Sequence, residues 1–192
     1  WMPFLRTCAE GEGIPMSEAG DPLSILANDA QIARWLSQGL PDDAVSKENG
    51  AIVVNSERWP LMIDPQLQGI KWVMNKEQEN NLHVVRLTQK TMLRTLEAAI
   101  AAGEPVLIEN MGERIEAVLN PVIARATTKR GASRLTLKLG DKEIDYNPDF
   151  QLYLHTKLSN PHYPPEVQAE AALVNFTVTQ AGLEDQLLAM TL

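Results

Sequence analysis

Leu61-Met62-Ile63-Asp64-Pro65-Gln66-Leu67-Gln68-Gly69-Ile70-Lys71 is the stretch that decides the fold. Leu61, Met62 and Ile63, bounded by Pro60 and Pro65, read as a short buried strand. Leu67, Ile70, Val73 and Met74 then recur at the spacing of one helical face. Strand, tight loop and helix in that order is a setting in which backbone N–H groups at a helix N-terminus can cradle phosphate. The full pattern requires Gly, four residues, Gly-Lys, and then Ser or Thr. Gly69 stands at the second glycine. Asp64 replaces the first and brings a negative charge to the phosphate position, and Pro65 has no N–H to donate. Ile70 stands where the lysine belongs, and Lys71 where a hydroxyl should hold Mg²⁺. The loop reads as a turn joining strand to helix, with its phosphate-binding positions degenerate.

Outward from this unit, residues 51–54, 83–87, 105–108, 150–154 and 173–178 read as further strands. A helix is expected after Asn28, a good N-cap, with Ile32 and Leu36 on one face and Gly39 and Pro41 as its stop. Residues 90–102 carry Met92, Leu93, Leu96 and Ile100 on one stripe closed by Gly103. A shorter helix over 113–119 is expected to break near Pro121, and another starts near Gly182. Residues 135–139 and 142–146 flank Gly140-Asp141 as a β-hairpin. Residues 1–27, punctuated by Gly11, Gly13, Pro15, Gly20 and Pro22, read as a linker. The expectation is a linker over 1–27 and one α/β domain over 28–192. Its sheet is mainly parallel and flanked by helices, with the hairpin as an insert. Function in such sheets sits at the carboxyl ends of the strands.

Composition narrows the classes. The 192 residues carry 17 Lys and Arg against 25 Asp and Glu, a net charge of −8. An acidic domain of this kind is not expected to grip nucleic-acid backbone. One cysteine, Cys8, excludes an internal disulfide or a Cys-rich zinc site and suits a reducing compartment. No apolar run approaches the roughly 20 residues needed to span a bilayer, so no membrane role is expected. The chain opens Trp1-Met2-Pro3-Phe4 and stops inside a helical pattern, which reads as a piece of a longer polypeptide.

The residues after the other strands hold few chemical candidates. Glu109 and Asn110 follow residues 105–108, where a nucleotide hydrolase places an Asp for Mg²⁺ and a Glu that orients water. Glu109 retains a carboxylate, but the Asn110 amide has no useful basicity. After 150–154, Asn160 and His162 lie on a proline-set loop with no obvious charged partner. His83, His155 and His162 show no metal-ligand spacing, and no metal site is expected. Asp42-Asp43 read as a turn with solvated charge. Arg125, Lys129, Arg130, Arg134 and Lys138 form a basic stretch that reads as a solvated face or, less commonly, as a dock for an acidic surface of a neighbour. Trp35, Trp59 and Trp72 are core candidates.

The run from Glu57 to Trp72 resembles a signature of dynein heavy chains. So do Gly39-Leu40-Pro41 with Ser46-Lys47-Glu48-Asn49, Val106-Leu107-Ile108-Glu109-Asn110, Leu139-Gly140-Asp141-Lys142-Glu143, His155-Thr156-Lys157-Leu158-Ser159-Asn160-Pro161-His162-Tyr163 and Val174-Asn175-Phe176-Thr177-Val178-Thr179. They follow the order of the fifth AAA+ module of the dynein motor ring and cover about 25–192; the wording is similar to the axonemal, ciliary branch. The resemblance implies the large α/β subdomain of an AAA+ module. It implies degenerate nucleotide-binding positions at Asp64, Gly69, Ile70 and Lys71 and at Glu109 and Asn110, a sensor-like Asn160, and Gly39-Leu40-Pro41 as the loop that flanks adenine in active modules. It also implies that ATP and Mg²⁺ act in other modules of the parent chain and that no cofactor is expected here. The partners it implies are neighbouring modules, the stalk and buttress of the same heavy chain, and the microtubule through the parent chain. Such rings often send an arginine into a neighbouring module's site. Residues 166–172, where it is expected, contain none, and Glu170 stands near its place.

Two readings follow. The first is a non-catalytic mechanical module that relays ring rearrangements toward the stalk in ciliary motility. The alternative is a regulatory module that binds ATP without hydrolysing it. A free-standing α/β enzyme would need a nucleophile and base, and the sequence offers none.

Overall fold

The computed structural model describes residues 7, 11, 23–130, 134–178, 182–184 and 187–188. The helices among them are α1 (Leu23–Leu26), α2 (Asp29–Ser37), α3 (Ala44–Asn55), α4 (Gln68–Lys76), α5 (Met92–Ala102), α6 (Asn120–Ile123) and α7 (Pro165–Glu170). The strands are β1 (Trp59–Ile63), β2 (His83–Val85), β3 (Val106–Ile108), β4 (Thr127–Arg130), β5 (Arg134–Leu139), β6 (Lys142–Asp145), β7 (Leu152–Thr156) and β8 (Ala171–Asn175). Five strands form a parallel sheet in the order β2-β3-β7-β1-β8. The other three form a separate antiparallel sheet, β4-β5-β6, inserted between β3 and β7. The expected α/β architecture with a hairpin insert is present.

The two-residue period of a strand explains its apolar runs. Leu61, Val106, Ile108, Leu152 and Leu154 face one layer with Leu96 and Ile100 of α5. Met62, Leu107 and Tyr153 face the other, with Trp35 of α2 and Trp72 of α4. Both faces are covered, so the strands do not alternate with polar residues. Trp59 anchors the first layer. Its Nε1 donates to the Val122 carbonyl at 2.9 Å, its ring meets Phe150 edge to face, and the Arg125 guanidinium lies 3.6 Å from the ring centre.

Local signals that hold are the caps. Asn28 and Gln31 exchange side-chain-to-backbone bonds at the start of α2. Gly103 ends α5 at φ 81, where an added Cβ would press on the Asn147 amide at 2.5 Å.

Several sequence expectations are corrected. Residues 51–54 are the last turn of α3, not a strand. The β preference of Ile and Val reflects packing on a pleated surface and yields to tertiary context. Here Asp43 starts a helix instead, accepting from the Ser46 N–H and hydroxyl at 2.8 Å each. Asp43 is therefore buried, not solvated. Residues 113–119 do not form a helix; Ala117–Leu119 is a 3₁₀ turn leading into α6. Pro121 sits in the first turn of α6, where its missing N–H is no loss, so it opens a helix rather than breaking one. Pro60 lies inside β1, whose ladder to β7 begins only at Leu61. Conversely, β7 runs on through His155 and Thr156, which read as loop. Helix α7 and strand β4 have no counterpart in the sequence reading.

Of the expected linker over 1–27, Leu23–Leu26 form a helical turn fastened to α3 by the Asn55 amide, which donates to the Leu26 carbonyl at 3.0 Å. Nearly all the rest, Cys8 included, lies outside the described residues. The helix expected from Gly182 is seen at 182–184 and 187–188. Within the basic stretch, Arg134 makes a two-pronged pair with Asp145 at 2.7 and 2.6 Å, and Arg130 meets Glu143 at 3.1 Å. No helix among the described residues is long and apolar enough to cross a membrane.

Candidate functional site

The five parallel strands end along one edge of the sheet, and Asp64, Arg86, Glu109, Asn110 and His155 meet there. The Asp64 N–H still bonds the Thr156 carbonyl at 2.9 Å, which fixes Asp64 at the end of the ladder. Pro65 and Gln66 then turn, and Leu67 takes the left-handed conformation (φ 62). The chain swings back so that the first N–H groups of α4 face the Asp64 side chain. Oδ1 accepts the Gln68 N–H and Oδ2 accepts the Ile70 N–H, each at 2.9 Å. Asp64 is 0% exposed. A helix N-terminus leaves unpaired N–H groups and a partial positive charge. The Asp64 carboxylate satisfies two of those donors. Its charge, an obstacle to phosphate when read in sequence, is here the anion that the helix end calls for.

The other positions that the sequence pattern singles out have different surroundings. Ile70 is buried in the second core layer, and Lys71 is exposed on α4. Gly69 serves packing. A Cβ there would lie 2.9 Å from the ring of Phe176, which follows β8 and whose N–H bonds the Ile63 carbonyl at 2.8 Å. Gly69→Ala is expected to lower folding stability by about 1–3 kcal/mol, the cost of overpacking. Urea unfolding of the two chains checks this, and equal midpoints would refute a packing role.

Glu109 and Asn110 follow β3. The Glu109 carboxylate pairs with the Arg86 guanidinium from the end of β2. Asn110 is left-handed (φ 56), and its N–H donates to His155 Nδ1 at 3.2 Å. Met111 completes the junction: its N–H bonds the His155 carbonyl at 2.8 Å and its own carbonyl accepts the Thr156 hydroxyl at 2.7 Å. With Nδ1 accepting, the His155 ring proton belongs on Nε2. Nε2 lies 3.9 Å from Asp64 Oδ2 and has no hydrogen-bond partner among the described residues. Burial lowers the His155 pKa against the opposing pull of the Asp64 and Glu109 charges, so the ring is neutral near pH 7.

His155 is the member of this site that the sequence reading missed. That reading looked to Asn160 and His162 on the following loop. Asn160 is exposed at a bend after β7. His162 is exposed and does have an acidic partner: its N–H donates to Glu113 at 3.0 Å, and its ring lies 3.8 Å from the same carboxylate. The signal for His155 was a lone histidine closing a run of buried residues at a strand's carboxyl end.

Gly39 (φ 96), Leu40 and Pro41 follow α2. Leu40 is buried against Gly50, and the neighbouring Asn75 amide donates to the Gln38 carbonyl at 2.7 Å. Between α3 and the start of α4, a cavity of about 10 Å³ is lined by Asp43, Ser46, Asn49, Gln68, Phe176 and Thr177 among others. That is room for about one water molecule. Helix α7 carries no arginine, and Glu170 at its end lines an open cleft with Glu113, Arg114, His162 and Glu166.

A parallel sheet in this order, with a strand–loop–helix unit at β1, defines an AAA+-type α/β module whose loop is filled by its own carboxylate. The model of the ATP-binding dynein motor region matches residues 33–192, and the chain belongs to that family. It is 59% identical over 191 residues to the dynein alpha chain, flagellar outer arm, of Chlamydomonas reinhardtii. It is 55% identical over 189 residues to the dynein beta chain, ciliary, of Tripneustes gratilla, and 53% over 189 residues to dynein axonemal heavy chain 9 of Homo sapiens. These matches take in 98% or 99% of the chain but 4% of each relative, so the chain spans a small part of their length.

Proposed function

We propose that the chain is the large subdomain of the fifth ring module of an axonemal dynein heavy chain, and that it binds no nucleotide. Its work is mechanical: it passes the ATP-driven rearrangements of other modules toward the microtubule-binding stalk by moving as a rigid body. Its partners are the adjoining modules, the stalk and the buttress of the same heavy chain, and the microtubule through the parent chain. Its place is the axoneme, as the names of its ciliary, flagellar and axonemal relatives suggest. ATP and Mg²⁺ belong to other modules.

The observation that carries this reading is the Asp64 carboxylate bonded to the Gln68 and Ile70 amides. A nucleotide phosphate entering the loop would meet a buried negative charge on the donors it needs, and like charges at contact distance repel strongly away from water. No ammonium at position 70 offsets that repulsion.

Calorimetric titration of the chain with Mg·ATP to about 1 mM, the weak end of useful affinity, tests it. A folded chain is expected to give no saturable heat. Saturable binding would overturn the reading in favour of a regulatory, ATP-binding module.

A further inference from the structure

We propose that the amino-terminal edge of the parallel sheet carries a docking trench for an acidic segment of the parent heavy chain, with the Arg58 and Arg125 guanidiniums receiving its carboxylates. This rests on the reading of the chain as one part of a heavy-chain ring, and it adds a site at the edge opposite the loop after β1.

Two clefts meet at that edge. One, of about 410 Å³, is lined by Trp59, Lys76, Glu77, Gln151 and Tyr153 among others. The other, of about 240 Å³, is lined by Ile123, Ala124, Ala169 and Glu170. Glu57, Arg58 and Arg125 line both, so the clefts run together past the two arginines. Lys47, Lys76, Arg86, Arg130, Arg134 and Lys142 each have a carboxylate partner. Arg58 and Arg125 have none among the described residues, in a chain with 25 acidic side chains. Arg58 uses one nitrogen, Nη1, toward the Gln168 and Ala169 carbonyls at 3.4 and 3.3 Å, which leaves its Nε and Nη2 donors unused. The Arg125 guanidinium lies over the Trp59 ring, 3.6 Å from its centre. That contact engages the charge without consuming an N–H, so the fork that grips a carboxylate by two parallel bonds is free. It also restrains the side chain, which reduces the entropy lost on binding.

The acidic residues of the trench set its register. Glu77 is buried, and its carboxylate is taken up by the Lys76 ammonium, the Tyr153 hydroxyl and the Asn80 amide. Glu57 and Glu170 line the walls without an ion pair to either guanidinium. They repel a carboxylate everywhere except beside the arginines. Screening over about 8 Å at physiological salt makes these local charges, and not the net charge of −8, the field that a docking group meets. The trench is open and extends to both sides of the arginine pair, which suits a chain segment with spaced carboxylates better than a free ion. The chain covers 4% of its relatives' length, so on the ring reading most of the parent chain lies outside these residues and supplies such a segment.

The test has two arms. In the first, end-capped hexaglutamate carrying a fluorescent label is titrated by anisotropy with wild type, Arg58→Gln, Arg125→Lys, the double variant Arg58→Gln with Arg125→Gln, and Arg94→Gln. Wild type is expected to bind saturably below about 1 mM at low salt. Arg58→Gln should weaken binding about tenfold, and Arg125→Lys by a smaller factor, because an ammonium keeps the charge and loses the fork. The double variant should show no saturable binding. Arg94→Gln, which removes an exposed cation on α5, should match wild type. Hexaglutamine should not bind, and inorganic phosphate should displace hexaglutamate no better than chloride of equal ionic strength. Arg58 is exposed, so its variant is expected to keep the fold, which circular dichroism checks. In the second arm, phenylglyoxal labels arginines in the chain alone and in the intact heavy chain, and mass spectrometry reads the rate at each. Arg58 and Arg125 should both react severalfold more slowly in the heavy chain. Absence of saturable binding, equal binding by all five chains, full displacement by phosphate, or equal labelling of the two arginines in both proteins would each overturn the inference. None of these outcomes bears on whether the loop after β1 binds Mg·ATP, so that titration is judged separately.

Discussion

Asp64→Ala is expected to cost the chain about 3–5 kcal/mol of folding stability, well beyond the usual loss for a residue outside the apolar core. The buried Ile70 N–H and the part-buried Gln68 N–H lose their acceptor, and an orphaned buried donor carries about 1–3 kcal/mol. The N-terminus of α4 also loses the negative charge that complements its dipole. Asp64→Asn keeps the shape but offers one acceptor oxygen for two donors and turns an NH₂ toward the second, so about half of the loss is expected. Urea unfolding monitored by circular dichroism reads both. A loss under about 1 kcal/mol for Asp64→Ala would show that the loop is held by something other than the carboxylate. Few surface aspartates would survive such a contrast, which makes the experiment a direct measure of how far the anion has become structural.

The second large effect is expected at Trp59, at the opposite end of β1. Trp59→Ala should lower stability by about 3–5 kcal/mol, the range for emptying a buried aromatic site. It removes the ring from between Phe150 and Arg125 and leaves the Val122 carbonyl without its indole donor. Arg125 stands at the end of α6 in the left-handed conformation (φ 49), a place where glycine is the usual choice. Stacking on Trp59 gives a side chain reason to be there, so the variant loses part of that compensation as well. Trp59→Phe keeps most of the ring and should lose about 1–2 kcal/mol, chiefly the indole hydrogen bond and some packing. In thermal unfolding the alanine variant should melt on the order of 10 °C lower. A shift of only a degree or two would mean that the neighbouring side chains close the space.

The sheet was legible in the sequence because its strands are covered on both faces. Leu61-Met62-Ile63 and Val106-Leu107-Ile108 have no polar alternation to confuse with a surface strand. The caps were legible for the same local reason: Asn28 and Gly103 act on neighbours within one turn. Residues 51–54 were misread because Ile and Val carry a strand preference that the Asp43 cap and the Gly50 contact override from outside the window. Helix α7, six residues long, is too short to show a period. At the site, Ile70 and Lys71 could be set against a known pattern, and Asp64 could be read as an intruding charge. Its pairing with two backbone amides could not, because that depends on Leu67 being left-handed. His155 stayed hidden because its meaning lies in the register of β7 with β1, which sets Met62 opposite it and brings its ring to Asp64.

One consequence follows from where β8 lies. It is an edge strand, held to the sheet by β1 alone through five registered pairs from Trp59↔Ala171 to Ile63↔Asn175. Asn49 adds a brace from α3, donating to the Asn175 carbonyl at 2.7 Å. A pull along the chain beyond Asn175 therefore acts parallel to a ladder whose bonds resist together, as a lap joint resists sliding, and not as a zip that opens one tooth at a time. Phe176 is the first residue past that joint, seated on Gly69. If the proposed relay operates, load from the segment that follows would meet the first turn of α4 through the Phe176 ring packed on Gly69. On the proposed mechanical reading, a stiff joint ending on a small residue would serve as a transmission element.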